Sequence, residues 1–138
     1  MNRIYDFARF KFATAALNWN TTPLFLMAYG GPADFNAADD ALSDITARGV
    51  ATFIAKSQAV VGANVTSQGY MQTGVVVFEE VPAGPAITQF VIISQPALEV
   101  NAVPILHITD AYDLPFAPNG LDIPVTPDWT QQRGWFRL

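Results

Sequence analysis

His107 is the one histidine in 138 residues, and it stands in the run Pro104-Ile105-Leu106-His107-Ile108-Thr109-Asp110. A general base, or a Ser-His-Asp relay, would have to use this ring. The run has the composition of a strand, which puts Asp110 on the opposite face if the strand continues that far. A structural histidine or a contact residue is therefore expected rather than a catalytic one. Glu79 and Glu80 are adjacent; in a strand they point to opposite faces and cannot act as a paired acid and base. Asp34, Asp39, Asp40 and Asp44 crowd one stretch, but they lack the spacing around a turn glycine that a calcium loop requires. They read as a solvated acidic loop. Gly30-Gly31-Pro32 lacks the following Gly, Lys and helix start of a phosphate loop, and no G-x-S-x-G elbow occurs. There is no cysteine, so disulfides and thiolate metal sites are excluded. No catalytic residue, metal or cofactor is expected, and the chain does not read as an enzyme.

Residues suited to binding are more plentiful. Phe7, Phe10, Phe12, Trp19, Phe25 and Tyr29 gather near the beginning. Few polar groups are interleaved to orient a sugar or a base, so core and interface anchors are expected. Seven basic against twelve acidic residues give a net charge of -5. Arg3, Arg9 and Lys11 form the densest basic group, too small for the clustered face that a phosphate backbone needs, so nucleic acid is not an expected partner. Charged residues are only 14% of the chain and hydrophobic ones 51%, against roughly 25% charged in typical soluble domains. So few charges cover a small chain poorly. Part of its surface is expected to lie against copies of itself or a partner; the alternative is a surface rich in Ser, Thr, Asn, Gln and Ala. Met1-Asn2-Arg3-Ile4-Tyr5-Asp6 is not followed by the apolar core of a signal peptide. The apolar runs fall well short of the roughly 20 residues of a membrane-spanning helix, so no membrane is expected.

The elements that must hold these residues follow from hydrophobic spacing. Residues 3–19 predict a helix: Tyr5, Ala8, Phe12, Ala15, Ala16 and Trp19 share one stripe, and Ile4, Phe7 and Phe10 a second. Two stripes mean contact on both sides, or a helix sunk deep in its own core. Residues 23–29 predict a buried strand, residues 30–36 a loop and residues 39–46 a short helical turn. From Val50 the texture turns to β, with strands predicted over 50–54, 59–65, 74–79, 87–93, 105–108 and 121–126. Glycine and proline separate them, at Gly62, Gly69, Pro82-Ala83-Gly84-Pro85, Pro96, Pro104 and Pro118-Asn119-Gly120. No helices fit in the gaps, so a parallel sheet is excluded. The expected fold is mainly β (α+β): an antiparallel β-sandwich or barrel with one N-terminal α-helix, in one domain over 1–138.

The end of the chain carries Trp129 and Trp135, then Phe136-Arg137-Leu138. Pro124 confines the preceding strand to an edge or a bulge, and residues 135–138 predict a last short pairing element. The aromatics there either anchor the terminus by burial, at about 2–3 kcal/mol for a large side chain, or dock on a neighbouring subunit. The anchor is the favoured expectation.

The order of these motifs resembles a family of small virion structural proteins of tailed bacteriophages, of the capsid decoration or cement type. The resemblance is carried by Tyr5-Asp6-x-Ala8-Arg9-x-Lys11-Phe12, Leu17-Asn18-Trp19 before the apolar residues 24–28, and Leu42-Ser43-Asp44-Ile45 followed by Arg48-Gly49-Val50-Ala51. Later it is carried by Pro104-Ile105-Leu106-His107-Ile108-Thr109-Asp110 with Leu114-Pro115, by Pro118-Asn119-Gly120-x-Asp122-Ile123-x-Val125, and by the closing Phe136-Arg137-Leu138. Residues 58–104 match weakly, and Thr126-Pro127-Asp128-Trp129 places a proline where relatives continue without one. The resemblance implies a non-enzymatic protein on the outer capsid surface, made in the bacterial host cytoplasm. It would bind the major capsid protein lattice and copies of itself as a homo-oligomer, such as a trimer. Candidate contacts are Ile4, Phe7 and Phe10, the loops with Pro82, Pro85, Tyr112 and Phe116, and Trp129 and Trp135. Two alternatives remain open: a tail, neck or fibre-attachment component, and a host-surface or carbohydrate-binding β-sandwich module.

Overall fold

Long apolar runs free of alternation, such as Leu24-Phe25-Leu26-Met27-Ala28-Tyr29 and Phe90-Val91-Ile92-Ile93, suit strands covered on both faces. The computed structural model, which describes residues 2–94, 101–109, 114–126 and 134–137, places them at the centre of a five-stranded antiparallel sheet. Its strands are β1 (Arg3–Ile4), β2 (Leu24–Gly30), β3 (Thr52–Lys56), β7 (Gln89–Ser94) and β8 (Pro104–Ile108), in the order β1-β8-β7-β2-β3. Every residue of β7 and β8 is buried. The described residues also form two smaller antiparallel sheets. One has the order β10-β5-β4, from β4 (Asn64–Val65), β5 (Tyr70–Gln72) and β10 (Phe136–Arg137). The other pairs β6 (Val76–Phe78) with β9 (Ile123–Val125). The described residues are thus mostly β, with antiparallel sheets and two short helices among them.

The register sorts side chains between the two faces of the central sheet. Val91 stands opposite His107, and Phe90 opposite Ile108. Phe90 stacks on Phe78 of β6, ring centres 5.6 Å apart, so that face carries the β6–β9 pair. On the other face Gln89 and His107 meet the 31–41 loop, where Gln89 accepts the amide of Asp34.

Helix α1 (Asp6–Ala13) and helix α2 (Leu42–Arg48) are short. The expected helix over 3–19 is corrected at both ends. Arg3 and Ile4 are drawn into the sheet, opposite His107 and Leu106. The amides at the start of α1 are then satisfied by main chain rather than by a capping side chain: Tyr5 donates to Ile105 and Asp6 to Ala37. At the far end Ala15 takes a left-handed φ of 59°, and the amides of Ala16 and Leu17 fold back onto the Lys11 carbonyl. That turn costs an alanine about 1 kcal/mol. It is compensated by burial of Leu17 and Trp19, whose indole donates to the Gln72 carbonyl at 2.9 Å. Helix α2 is the predicted short turn over 39–46, with its bounds moved to Leu42–Arg48. Leu42 and Ile45 face the core, the Asp44 carboxylate accepts the amides of Asp40 and Ala41, and Gly49 ends the helix at φ 62°.

Most predicted strands are present with shifted ends. The expected strand over 59–65 shrinks to Asn64–Val65, and β1 and β5 have no counterpart in the sequence reading. Pro124 sits in β9, which pairs with β6 alone among the described residues, as a proline in a strand requires. The C-terminal pairing element is β10, seated on β5 through Phe136↔Met71 and Arg137↔Tyr70.

Candidate functional site: an arginine-lined groove above a buried polar cluster

The 31–41 loop turns two of its acidic residues inward and leaves Asp40 exposed. Asp34 and Asp39 are buried, and both bind Arg48 of α2. Arg48 holds Asp39 through two parallel bonds of 2.5 and 2.6 Å and Asp34 through Nε at 2.9 Å. The expectation of a solvated acidic loop is corrected for these two residues: a fork-shaped guanidinium offers enough donors to compensate two desolvated carboxylates. Hydrogen bonding to Asp39 holds the Arg48 pKa above its ordinary value. Asp44 is held below the carboxylate range by the amides it caps.

His107 belongs to the same cluster and is fully buried. Its Nε2 lies 2.8 Å from Gln89 Oε1. That oxygen also accepts the Asp34 amide, while Gln89 Nε2 donates to the Pro32 carbonyl. The amide orientation is therefore set, and His107 Nε2 must carry the proton. Nδ1 has no partner among the described residues, nor have Tyr5 Oη and Asp34 Oδ2. Desolvation, followed by the nearby Arg3 charge, pushes the His107 pKa down to about 4. Burial, then the charges of Asp39 and Asp34, pushes the Tyr5 hydroxyl well above its ordinary value. The ring is enclosed between the central sheet and the 31–41 loop, away from solvent. Asp110, the other half of the sequence pair, lies outside the described residues.

Phe35 connects this cluster to the surface. Its ring packs 4.8 Å from Tyr5 and 5.6 Å from His107. The Arg3 guanidinium lies 4.2 Å above the same ring, a stacked arrangement that fixes the fork. Above Phe35 opens a groove of about 420 Å³, lined by Asn2, Arg3 and Ile4 of the β1 segment, Arg9 and Ala37, Leu106, and Trp135, Phe136 and Arg137 of the β10 segment. Its two banks are tied where Asn2 donates to the Trp135 carbonyl. Arg137 is itself stacked over Tyr70, at 5.4 Å. Three of the seven basic residues thus meet in one depression. The sequence already showed Arg3 and Arg9 as neighbours. Arg137 joins them only because β10 folds back beside β1, a pairing that no local pattern announces.

The predicted contact residues distribute as follows. Ile4 lines the groove. Phe7 and Phe10 stack on one another on α1, and Phe10 is 57% exposed. Pro82 and Pro85 are exposed. Their loop lies beside the one carrying Phe116: the Ile87 and Phe116 main chains pair, Gly120 donates to the Val81 carbonyl, and Asp122 accepts the Glu80 amide. Phe116 itself is half-buried and lines a small apolar cleft with Phe90 and Ile123. Trp135 is 4% exposed and its Nε1 donates to Thr73 at 2.8 Å. So buried and bonded, it is an anchor and not a free docking surface. Tyr112 and Trp129 lie outside the described residues. Sequence reasoning named none of several exposed apolar side chains as contacts, among them Phe53, Val61, Val65, Val75 and Leu121, because they stand within apolar runs predicted as strands, where local composition does not tell the outward from the inward residue.

A comparison with protein-family models, curated proteins and solved structures finds no match to this chain.

Proposed function

We propose that this protein is a non-enzymatic structural component of a tailed-bacteriophage virion, a decoration or cement protein that binds the major capsid protein lattice and stabilises the head. The observation that carries the reading is the apolar surface. Phe10, Phe53, Val61 and Leu121 are each more than half exposed on a chain with only 14% charged residues, and covering them with a partner would remove apolar area from water. The paired proline-rich loops and the arginine groove add two recognition surfaces. The order of motifs shared with small phage virion proteins supplies the setting, and sequestration of the one histidine weighs against acid–base catalysis. The mechanism is mass action: a protein that binds only the assembled shell stabilises it by the free energy of occupying its sites, and many repeated sites allow modest affinity per copy. Quantitative mass spectrometry of purified virions tests this. A copy number comparable to that of the major capsid protein is expected; a few copies per particle would move the protein to the tail or neck.

A further inference from the structure

We propose that the groove between β1 and β10 binds an extended, carboxylate-bearing segment of a partner protein. Arg3, Arg9 and Arg137 converge there in a chain of net charge -5. Among the described residues the ion pairs are those of Arg48, so none neutralises these three. An anionic group entering the groove would be attracted by all three. Aromatic rings cover one face of Arg3 and one of Arg137, which leaves the N–H edges for carboxylates.

The shape of the groove selects the form of the ligand. Each bank is an edge strand: β1 pairs only with β8, and β10 only with β5, among the described residues. Edge strands offer main-chain donors and acceptors to an incoming extended peptide. Ile4, Leu106 and Phe136 add apolar lining, which a small hydrated anion cannot use and an alternating acidic-apolar peptide can. A nucleic acid is disfavoured, because three cations on a net acidic chain cannot neutralise a long phosphate backbone. The assignment stands on the groove alone, so failure of the peptide test leaves the virion reading intact, and failure of the virion test leaves the groove.

The test is fluorescence anisotropy with a short labelled peptide of alternating Glu and Val, a matching Lys-Val peptide, and inorganic phosphate as competitor. The Glu-Val peptide is expected to bind, more weakly as salt rises, while the Lys-Val peptide does not. Arg9→Gln and Arg137→Gln, both at exposed positions, should each weaken binding about tenfold with an unchanged circular dichroism spectrum. Lys56→Gln, remote from the groove, should not. Equal binding of both peptides, indifference to the arginine substitutions, or full displacement by phosphate at matched charge would overturn the proposal.

Discussion

His107 shows how burial turns a reactive residue into a structural one. Its ordinary pKa of 6.5 falls to about 4 in the fold. Between those values the unfolded chain takes up a proton that the folded chain refuses. The ring's contribution to stability is therefore complete above pH 6.5 and is lost as the pH falls towards 4, up to about 3 kcal/mol in all. Urea denaturation across that range should show wild type losing more stability than His107→Gln; parallel curves would contradict the assignment. Arg48 is the second test. Removing it leaves Asp34 and Asp39 buried without a cation, so Arg48→Met should cost about 3 kcal/mol or more, read from the urea midpoint. The structural role of His107 could be expected from its apolar neighbours in sequence. The inward turn of Asp34 and Asp39 could not, because their partner lies beyond an intervening loop and carboxylates in a row usually mean solvent.

Strands with continuous apolar runs, β2, β7 and β8, were legible because two-sided burial leaves a signature in composition alone. The helix was legible in kind but not in length. Its stripe continues to Trp19, yet Trp19 reaches the core through a left-handed turn at Ala15. Residues 3 and 4 were lost to β1 because strand pairing with β8 is a long-range contact that local spacing does not report. The C-terminal element depends on Gly134, which has φ 63° and sits against the Met71 carbonyl. A Cβ there would overlap that oxygen, so Gly134→Ala should unseat β10. Hydrogen exchange should then be faster at the Phe136 and Arg137 amides while the β7 amides stay protected. Retained protection at Phe136 would show that β10 does not need this close approach.

The molecule combines a central sheet whose inner strands β7 and β8 are wholly buried with a chain poor in charge and several exposed apolar side chains. Sequence composition foretold that imbalance, although it could not say where the apolar residues would emerge. Self-association is the first expected consequence: sedimentation velocity should give a mass that is a multiple of the 15.0 kDa chain. Phe10→Asp or Phe53→Asp should shift the population towards the monomer, because each buries a charge at any contact that uses the ring. The most direct test of the central claim is co-sedimentation of the purified protein with empty phage heads, beside the same capsid protein as unassembled subunits. Saturable binding to heads, weak binding to free subunits and heads that withstand higher temperature are the expected result. A protein that stays in the supernatant in the presence of intact heads would contradict the account.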